Sequence, residues 1–185
     1  MQDNPKTCKF YTLNTKHMKI EVKNIKTNMA FSEETICFKA DVFVDGKKVF
    51  YAENDGHGGM TSVMPYGLDE RKIYHEVIEY LASKGKDEIE RKYPLEYLVD
   101  DVVDDYVNER ERKKFTTKRE KDAEKCLVIY KDDENSYSKI SWGKFTIDQL
   151  LKSPQGRNAI HTSVLKYKNM GYKIHNNNIP AELLN

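Results

Sequence analysis

The stretch from Asp41 to Glu53, which reads Asp-Val-Phe-Val-Asp-Gly-Lys-Lys-Val-Phe-Tyr-Ala-Glu, decides how the first half of this chain folds. Apolar and polar residues alternate over residues 35–44, and a period of two is typical of half-buried strands. The pair Asp45-Gly46 tolerates the positive φ angles of a two-residue turn. We therefore predict a β-hairpin that turns at Asp45-Gly46, with a further strand over residues 18–25.

Two helices are predicted after the hairpin. Asp69 can cap a helix that extends to about Lys84, because apolar residues recur there every four positions and Gly85 can stop it. Pro94 suits the first turn of a second helix, since its missing N–H is not needed there. The buried stripe of the second helix is predicted to contain Leu95, Leu98, Val99, Val102, Val103 and Tyr106.

The remainder of the chain predicts a second, smaller lobe. Strands are expected at residues 126–130 and 137–142, on either side of a turn at residues 131–136. Helical segments are expected at residues 146–151 and 154–170, where Gly171 ends the helix, and residues 172–178 suggest a last strand or an extended tail.

These elements predict an α+β fold. Its N-terminal part, residues 1–112, is an antiparallel sheet with packed helices. Residues 113–125 are either a linker or a helix tail, and residues 126–185 form a C-terminal β-β-α lobe. Whether residues 107–125 form a rigid helix or a hinge stays open from sequence alone.

Composition limits the class of protein. Charged residues make up 33% of the 185 positions and aromatic residues 11%. The aromatic fraction is too high for a disordered chain. Three cysteines without a CxxC spacing, Cys8, Cys37 and Cys126, indicate reduced thiols. No apolar run reaches about 20 residues, and the N-terminus lacks the apolar core of a signal peptide. We expect a soluble protein of the cytoplasm that has no contact with a membrane.

A glycine-rich segment follows the hairpin and consists of Asn54, Asp55, Gly56, His57, Gly58 and Gly59. Successive backbone N–H groups in such a loop can point into one concavity and bind an anion, with His57 as an added donor or acid–base group. However, the lysine and hydroxyl of a phosphate-binding loop are missing, and so is a helix directly behind it. The simpler interpretation is a sharp turn in which Asn54 and Asp55 bond to the backbone and the glycines supply positive φ.

Acidic residues dominate one face of the second predicted helix. Glu96, Asp100 and Asp104 form one row at a spacing of four, and Asp101 and Asp105 form a second. Three roles are open: a solvated face, a surface that binds a partner by imitating the phosphates of nucleic acid, or a Mg²⁺ site. Divalent-metal sites need carboxylates from more than one element, and one helix does not provide them.

Other residue types carry weaker indications. The histidines show no HxxxH or HExxH spacing, and no serine or cysteine has the surroundings of an activated nucleophile. We therefore expect no metal, no cofactor and, on balance, no catalytic activity. The C-terminal part mixes basic and aromatic residues, as nucleic-acid-binding surfaces do, although a solvated helix with Trp142 in the core explains the same pattern.

Two segments carry a resemblance to a family. Residues 44–59, VDGKKVFYAENDGHGG, resemble an N-terminal motif of uncharacterised proteins of bacteriophages and mobile elements, in which a VDGKK strand leads into an Asn-Asp-Gly-x-Gly-Gly loop. Residues 141–160 and 172–180 are similar to the C-terminal region of the same group. Phe50 stands where many members have glycine. The resemblance implies a genomic setting, and with it a task such as interfering with a host defence system or managing host nucleic acid.

Together these observations give two hypotheses of function. The first is an accessory protein of a phage or mobile element that binds a host protein, such as a defence nuclease or effector, through Glu96, Asp100, Asp101, Asp104 and Asp105. The alternative is a protein that binds or acts on a nucleotide or nucleic acid through residues 54–59. The identity of the partner and the oligomeric state stay open.

Overall fold

The computed structural model describes residues 18–131 and 136–185, and within them the fold is α+β as predicted. The strands are β1 (Ile20–Thr27), β2 (Phe38–Val44), β3 (Lys47–Asn54), β4 (Ser62–Pro65), β5 (Leu127–Tyr130), β6 (Ser138–Ile140) and β7 (Lys173–Ile174). The α-helices are α1 (Leu68–Ala82), α2 (Glu88–Lys92), α3 (Pro94–Lys125), α4 (Ile147–Leu150) and α5 (Pro154–Asn169).

The first sheet is antiparallel and has the order β1-β2-β3-β4. The predicted hairpin is confirmed: β2 and β3 are joined by Asp45 at φ 48° and Gly46 at φ 84°, and Val44 pairs with Lys47. Positive φ at both turn residues matches the twist of the flanking strands, and Asp-Gly accepts it at low cost. Along β2, fully buried residues alternate with more exposed ones, as the period of two requires.

The first core lies on one face of this sheet and includes apolar residues of α1 and α3. All six predicted stripe residues of α3 belong to it; four of them are buried, and Leu98 and Tyr106 are partly buried. Phe50 is completely buried, and its ring meets the edge of Tyr74 at a centroid distance of 5.7 Å. Burying a side chain of this size stabilises the fold by about 1.5–3 kcal/mol.

The start of one helix and two short elements differ from the sequence prediction. Helix α1 begins two residues earlier than a cap at Asp69 implies: Gly67 is its N-cap, and Asp69 lies in the first turn, where its charge still favours the helix dipole. The short elements β4 and α2 were not predicted, because four and five residues are too few to show a period. Asp87 nevertheless caps α2 by accepting bonds from the backbone N–H groups of Ile89 and Glu90.

The second sheet has the order β6-β5-β7 and shares a separate core with α4 and α5. Gly171 follows α5 at φ 81°, and the chain then forms β7, so both predictions for this region are confirmed. Thr146 and Gln149 form a reciprocal capping box at the start of α4. Of the predicted turn at residues 131–136, positions 132–135 lie outside the described residues.

Asn176, in the Asn-rich segment near the C-terminus, is a buried polar anchor of this second unit. Its amide nitrogen donates to the carbonyl oxygens of Ala123 (2.7 Å) and Cys126 (2.9 Å), and its Oδ1 accepts the Val128 N–H at 2.7 Å. Because buried backbone groups cost free energy when they lack a partner, this side chain fixes the start of β5 where α3 ends.

The chain divides into two compact units, one ending at Glu109 and the other beginning at Arg110, within α3. Residues 113–125, for which the sequence allowed a linker or a helix tail, are part of that continuous helix. The first unit contains 21 acidic and 15 basic residues, a net charge of −6, and the second contains 9 and 16, a net charge of +7. The overall charge of +1 therefore conceals two units of opposite sign.

Two further findings concern the cysteines and the apolar character of the helices. Cys37 and Cys126 are free thiols, and Cys8 lies outside the described residues. Over the described part of the chain, no helix combines the length and the apolar character that a membrane span requires.

Candidate functional site

Asn54 organises the glycine-rich loop. It is the last residue of β3, only 8% of its surface is exposed, and both ends of its amide are used. Its Oδ1 accepts the Thr35 hydroxyl at 2.8 Å and the Gly56 N–H at 2.9 Å, and its Nδ2 donates to the carbonyl of Gly59 at 2.8 Å and to Thr61 Oγ1 at 3.2 Å. Asn54 thus closes the loop on itself and ties it to the segment between β1 and β2.

Gly56 holds the loop against that same segment. Its φ is +92°, and a Cβ atom at this position would lie 2.1 Å from the carbonyl oxygen of Phe31. The Gly56 carbonyl oxygen accepts the backbone N–H groups of Glu33 (2.9 Å), Glu34 (3.1 Å) and Thr35 (3.3 Å). Only glycine combines this φ with so close an approach of two backbones.

Three N–H groups of the loop already have acceptors within the protein. Those of Gly56, His57 and Gly58 donate to the side-chain oxygens of Asn54, Asp55 and Thr35, respectively. A phosphate could reach these three donors only by displacing the bonds that shape the loop. The geometry therefore favours the interpretation of this segment as a turn over that of an anion-binding nest.

His57 lies on the outside of the loop, with 55% of its side chain exposed. Its Nδ1 is 3.3 Å from a carboxylate oxygen of Glu33, whose side chain is 70% exposed. The imidazole thus has one acidic neighbour and a largely aqueous environment. This is the setting of a surface residue, and it differs from the desolvated environment of most general acid–base groups.

Thr61 joins the glycine-rich loop to the acidic helix. Its hydroxyl donates to Asp100 Oδ1 at 2.5 Å while it accepts from Asn54 Nδ2, so Asn54, Thr61 and Asp100 form a chain of hydrogen bonds. The two motifs that the sequence showed separately are therefore adjacent in space. Nothing in the spacing indicated Thr61 or Thr35, because both act through contacts between residues 19 and 39 positions apart.

A cavity of about 430 Å³, here called the loop cavity, opens beside this chain of bonds. Its lining combines apolar side chains of β2 and α3 with carboxylates. Residues that line it are Ser32, Glu33, Glu34, Thr35, Ile36, Phe38, Asn54, Gly59, Asp100, Val103 and Asp104. Among the described residues of this lining four are acidic and none is basic, so the loop cavity is a poor site for an anion.

Electrostatics within the first unit follow from this crowding of carboxylates. Burial is the largest cause that raises the pKa of Asp100, the Thr61 hydrogen bond opposes it, and the nearby charges of Asp104, Asp101 and Glu96 raise it further. The pKa of Asp104 is also raised, by desolvation of its carboxyl and by Asp101. Holding a negative charge on these two groups therefore costs free energy in the folded protein.

The predicted acidic rows lie on α3, but their members have different surroundings. Asp100 is half-buried and faces the loop cavity, and Glu96 is also half-buried. Asp101, Asp104 and Asp105 are exposed, and within residues 18–131 and 136–185 no ion pair or hydrogen bond engages their carboxylates. We call these three residues the acidic surface.

Two remaining features are the possible metal ligands and the basic residues of the second unit. Among the described residues, no group of three His, Cys, Asp or Glu side chains is placed to hold a metal ion. In the second unit, several basic residues lie over aromatic rings, such as Lys131 over Tyr172 at 5.0 Å and Lys166 over Tyr167 at 5.4 Å. Trp142 packs against the second core.

Comparison of the chain with protein-family models, with curated proteins and with solved structures finds no match. The site therefore has to be interpreted from its own geometry.

Proposed function

We propose that this protein is an accessory protein of a bacteriophage or mobile element that binds a host protein in the bacterial cytoplasm and inhibits a defence nuclease or effector. The acidic surface of Asp101, Asp104 and Asp105 is the contact region. The genomic setting rests on the resemblance of residues 44–59 and 141–160 described above. The mode of binding rests on the geometry of α3.

The observation that carries the proposal is the exposure of three carboxylates that, in the part of the chain the structure describes, no ion pair engages. Like charges three or four residues apart on a helix destabilise it by about 0.2–0.5 kcal/mol per pair. Among the described residues no ion pair relieves this repulsion at Asp101, Asp104 or Asp105. A basic partner surface would supply the missing counter-charges, and proteins that bind nucleic acid carry such surfaces.

The whole first unit supports the same interpretation. Its net charge of −6 attracts basic partners over a distance comparable with the Debye length, about 8 Å at physiological salt. By contrast, the glycine-rich loop uses its N–H groups of residues 56–58 internally, which weakens the alternative of a nucleotide site there.

The test is a comparison of two charge-reversed variants of the full chain. In the first, Asp101→Lys and Asp105→Lys reverse the charge at two of the three exposed positions of the acidic surface. In the second, Glu120→Lys and Glu124→Lys make the same change of charge at the same spacing, on exposed positions of the same helix. Each tagged protein is used to capture partners from nuclease-treated bacterial lysate, and each is expressed in cells that carry a defence nuclease and are challenged with a sensitive phage.

The expected result is one stoichiometric host protein bound by the wild type and by the Glu120/Glu124 variant but not by the Asp101/Asp105 variant. Phage plating should be restored by the same two proteins. Equal binding by both variants would show that the acidic surface is not the contact region. Recovery of nucleic acid alone would favour the alternative function.

A further inference from the structure

A second cavity lies on the other side of the acidic surface, between the end of α1 and the first three turns of α3. We call it the helical groove; its volume is about 610 Å³, within the range of pockets that take ligands. All of its lining residues belong to the first unit. Asp104 lines both this groove and the loop cavity, whereas Asp101 and Asp105 line the groove alone.

The floor of the groove is apolar. Leu81 and Val102 are almost completely buried there, Leu98 is partly buried, and Tyr97 retains 39% of its surface exposed. An aromatic side chain beside an apolar depression is typical of the residues that dominate binding energy in protein interfaces. The floor therefore offers anchoring points that a purely electrostatic surface would lack.

The charges around the floor determine what can occupy it. Asp101, Asp104 and Asp105 supply three carboxylates along the α3 side, and Glu90 adds a fourth, whereas Lys84 and Lys86 are the cations of the lining. An occupant that matches this distribution needs apolar side chains toward the floor and basic ones toward α3. The helical stretch from Pro94 to Asp105 is about 17 Å long, enough to lie beside about three turns of another helix.

We infer that the helical groove binds a basic amphipathic helix of the partner protein, with its apolar face on Tyr97, Leu98 and Val102 and its lysines or arginines on the acidic surface. This is the helix-in-groove mode of recognition, in which residues at i, i+3, i+4 and i+7 act as anchors. The inference rests on the proposed function and adds the chemistry of the recognised segment.

Two synthetic peptides of equal length and equal positive charge test the inference on the full-length protein. One places leucines at helical spacing among lysines, and the other has serine in place of every leucine. Binding is measured by fluorescence anisotropy, and the contact surface is mapped by methyl chemical shifts in NMR. Tyr97→Ala tests the floor, and Leu165→Ala, an equally exposed apolar residue at 39%, is its control.

The leucine peptide should bind about tenfold or more tightly than the serine peptide, and Tyr97→Ala should remove most of this difference while Leu165→Ala should not. Shifts should concentrate on the methyl groups of Leu81, Leu98 and Val102, a readout that does not depend on any variant folding correctly. Asp101→Lys with Asp105→Lys should weaken both peptides.

Four outcomes would overturn the inference. If the two peptides bound with equal affinity and charge reversal abolished both, the acidic surface would still be the contact region, but the apolar groove would be excluded as the binding site. Shifts that map elsewhere, or absence of binding by the leucine peptide, would exclude this class of occupant, while host-protein capture would still decide the proposed function separately. Concentration-dependent sedimentation that Tyr97→Ala abolishes would identify a second copy of this chain as the occupant.

Discussion

The contact between Gly56 and Phe31 allows a quantitative test of the glycine-rich loop as architecture. We consider Gly56→Ala, which adds one methyl group where φ is +92° and where the Phe31 carbonyl oxygen would be 2.1 Å away. Two other glycines provide graded controls. Gly46 has φ +84° but open space around its Cβ position, and Gly59 has open space and no positive φ.

The expected magnitudes follow from these differences. Alanine at Gly46 incurs only the backbone strain of a left-handed conformation, about 1–2 kcal/mol. Alanine at Gly56 incurs the same strain and also pushes the loop away from Phe31. That movement weakens three hydrogen bonds to the Gly56 carbonyl, each worth about 0.5–1.5 kcal/mol, so the total loss should be about 3–5 kcal/mol. At Gly59 the change should be neutral or stabilising by up to about 1 kcal/mol.

The measurement is equilibrium unfolding in urea, followed by far-UV circular dichroism. The single tryptophan, Trp142, is partly buried and packs against the second core, so its fluorescence reports the second unit and serves as an internal reference. The free energy of unfolding should decrease in the order Gly59→Ala, Gly46→Ala, Gly56→Ala. If Gly56→Ala were as stable as Gly59→Ala, the close packing of the loop against Phe31 would be refuted, and a ligand-dependent loop would become the better explanation.

Three further predictions concern individual side chains. The pKa of Asp100 is raised above its usual 3.8, so the folded protein loses stability as pH rises from about 3.8 through the folded pKa of this group. Asp100→Asn should therefore be at least as stable as the wild type at pH 7 and should lose this advantage at pH 3. Urea unfolding at both pH values measures the difference. Greater stability of the wild type at pH 7 would contradict this. Burial and a 2.7 Å hydrogen bond to Asp122 raise the pKa of Tyr137 to about 12. An ultraviolet difference titration of the wild type against Tyr137→Phe should therefore show a phenol that ionises near pH 12. A phenol that ionises near pH 10 would disprove the hydrogen bond. Asn176→Ala should destabilise the second unit by about 3–5 kcal/mol, because it leaves buried backbone groups at both ends of the α3–β5 connection without partners. Tryptophan fluorescence in urea measures this loss. A loss under about 1 kcal/mol would show that water replaces the amide.

Periodicity predicted the long elements well, for a physical reason. The alternation in residues 35–44 and the apolar stripe from Leu95 to Tyr106 each extend over enough residues to fix one buried face. Short elements have no such redundancy, and β4 and α2 were missed. The N-cap of α1 was misplaced because a glycine in extended conformation, Gly67, gives no side-chain motif.

The candidate site shows a similar division. The residue types in the glycine-rich loop and on the acidic helix were visible in the sequence, and the interpretation of the loop as a turn follows from Asn54 and the glycines alone. Their joining through Thr61 was not visible, since it depends on a contact between residues 39 positions apart. The separation of the carboxylates into half-buried Asp100 and an exposed acidic surface likewise needed the packing of α3.

By itself, the sequence determined the hairpin at Asp45-Gly46, the start of α3 at Pro94, and the presence of acidic rows, because these depend on local conformational preference and on periodicity. Only the tertiary structure decided which carboxylates face a cavity, which are exposed, and that the N–H groups of residues 56–58 already have acceptors. Those properties arise from contacts between distant residues, whose free energies no local pattern encodes.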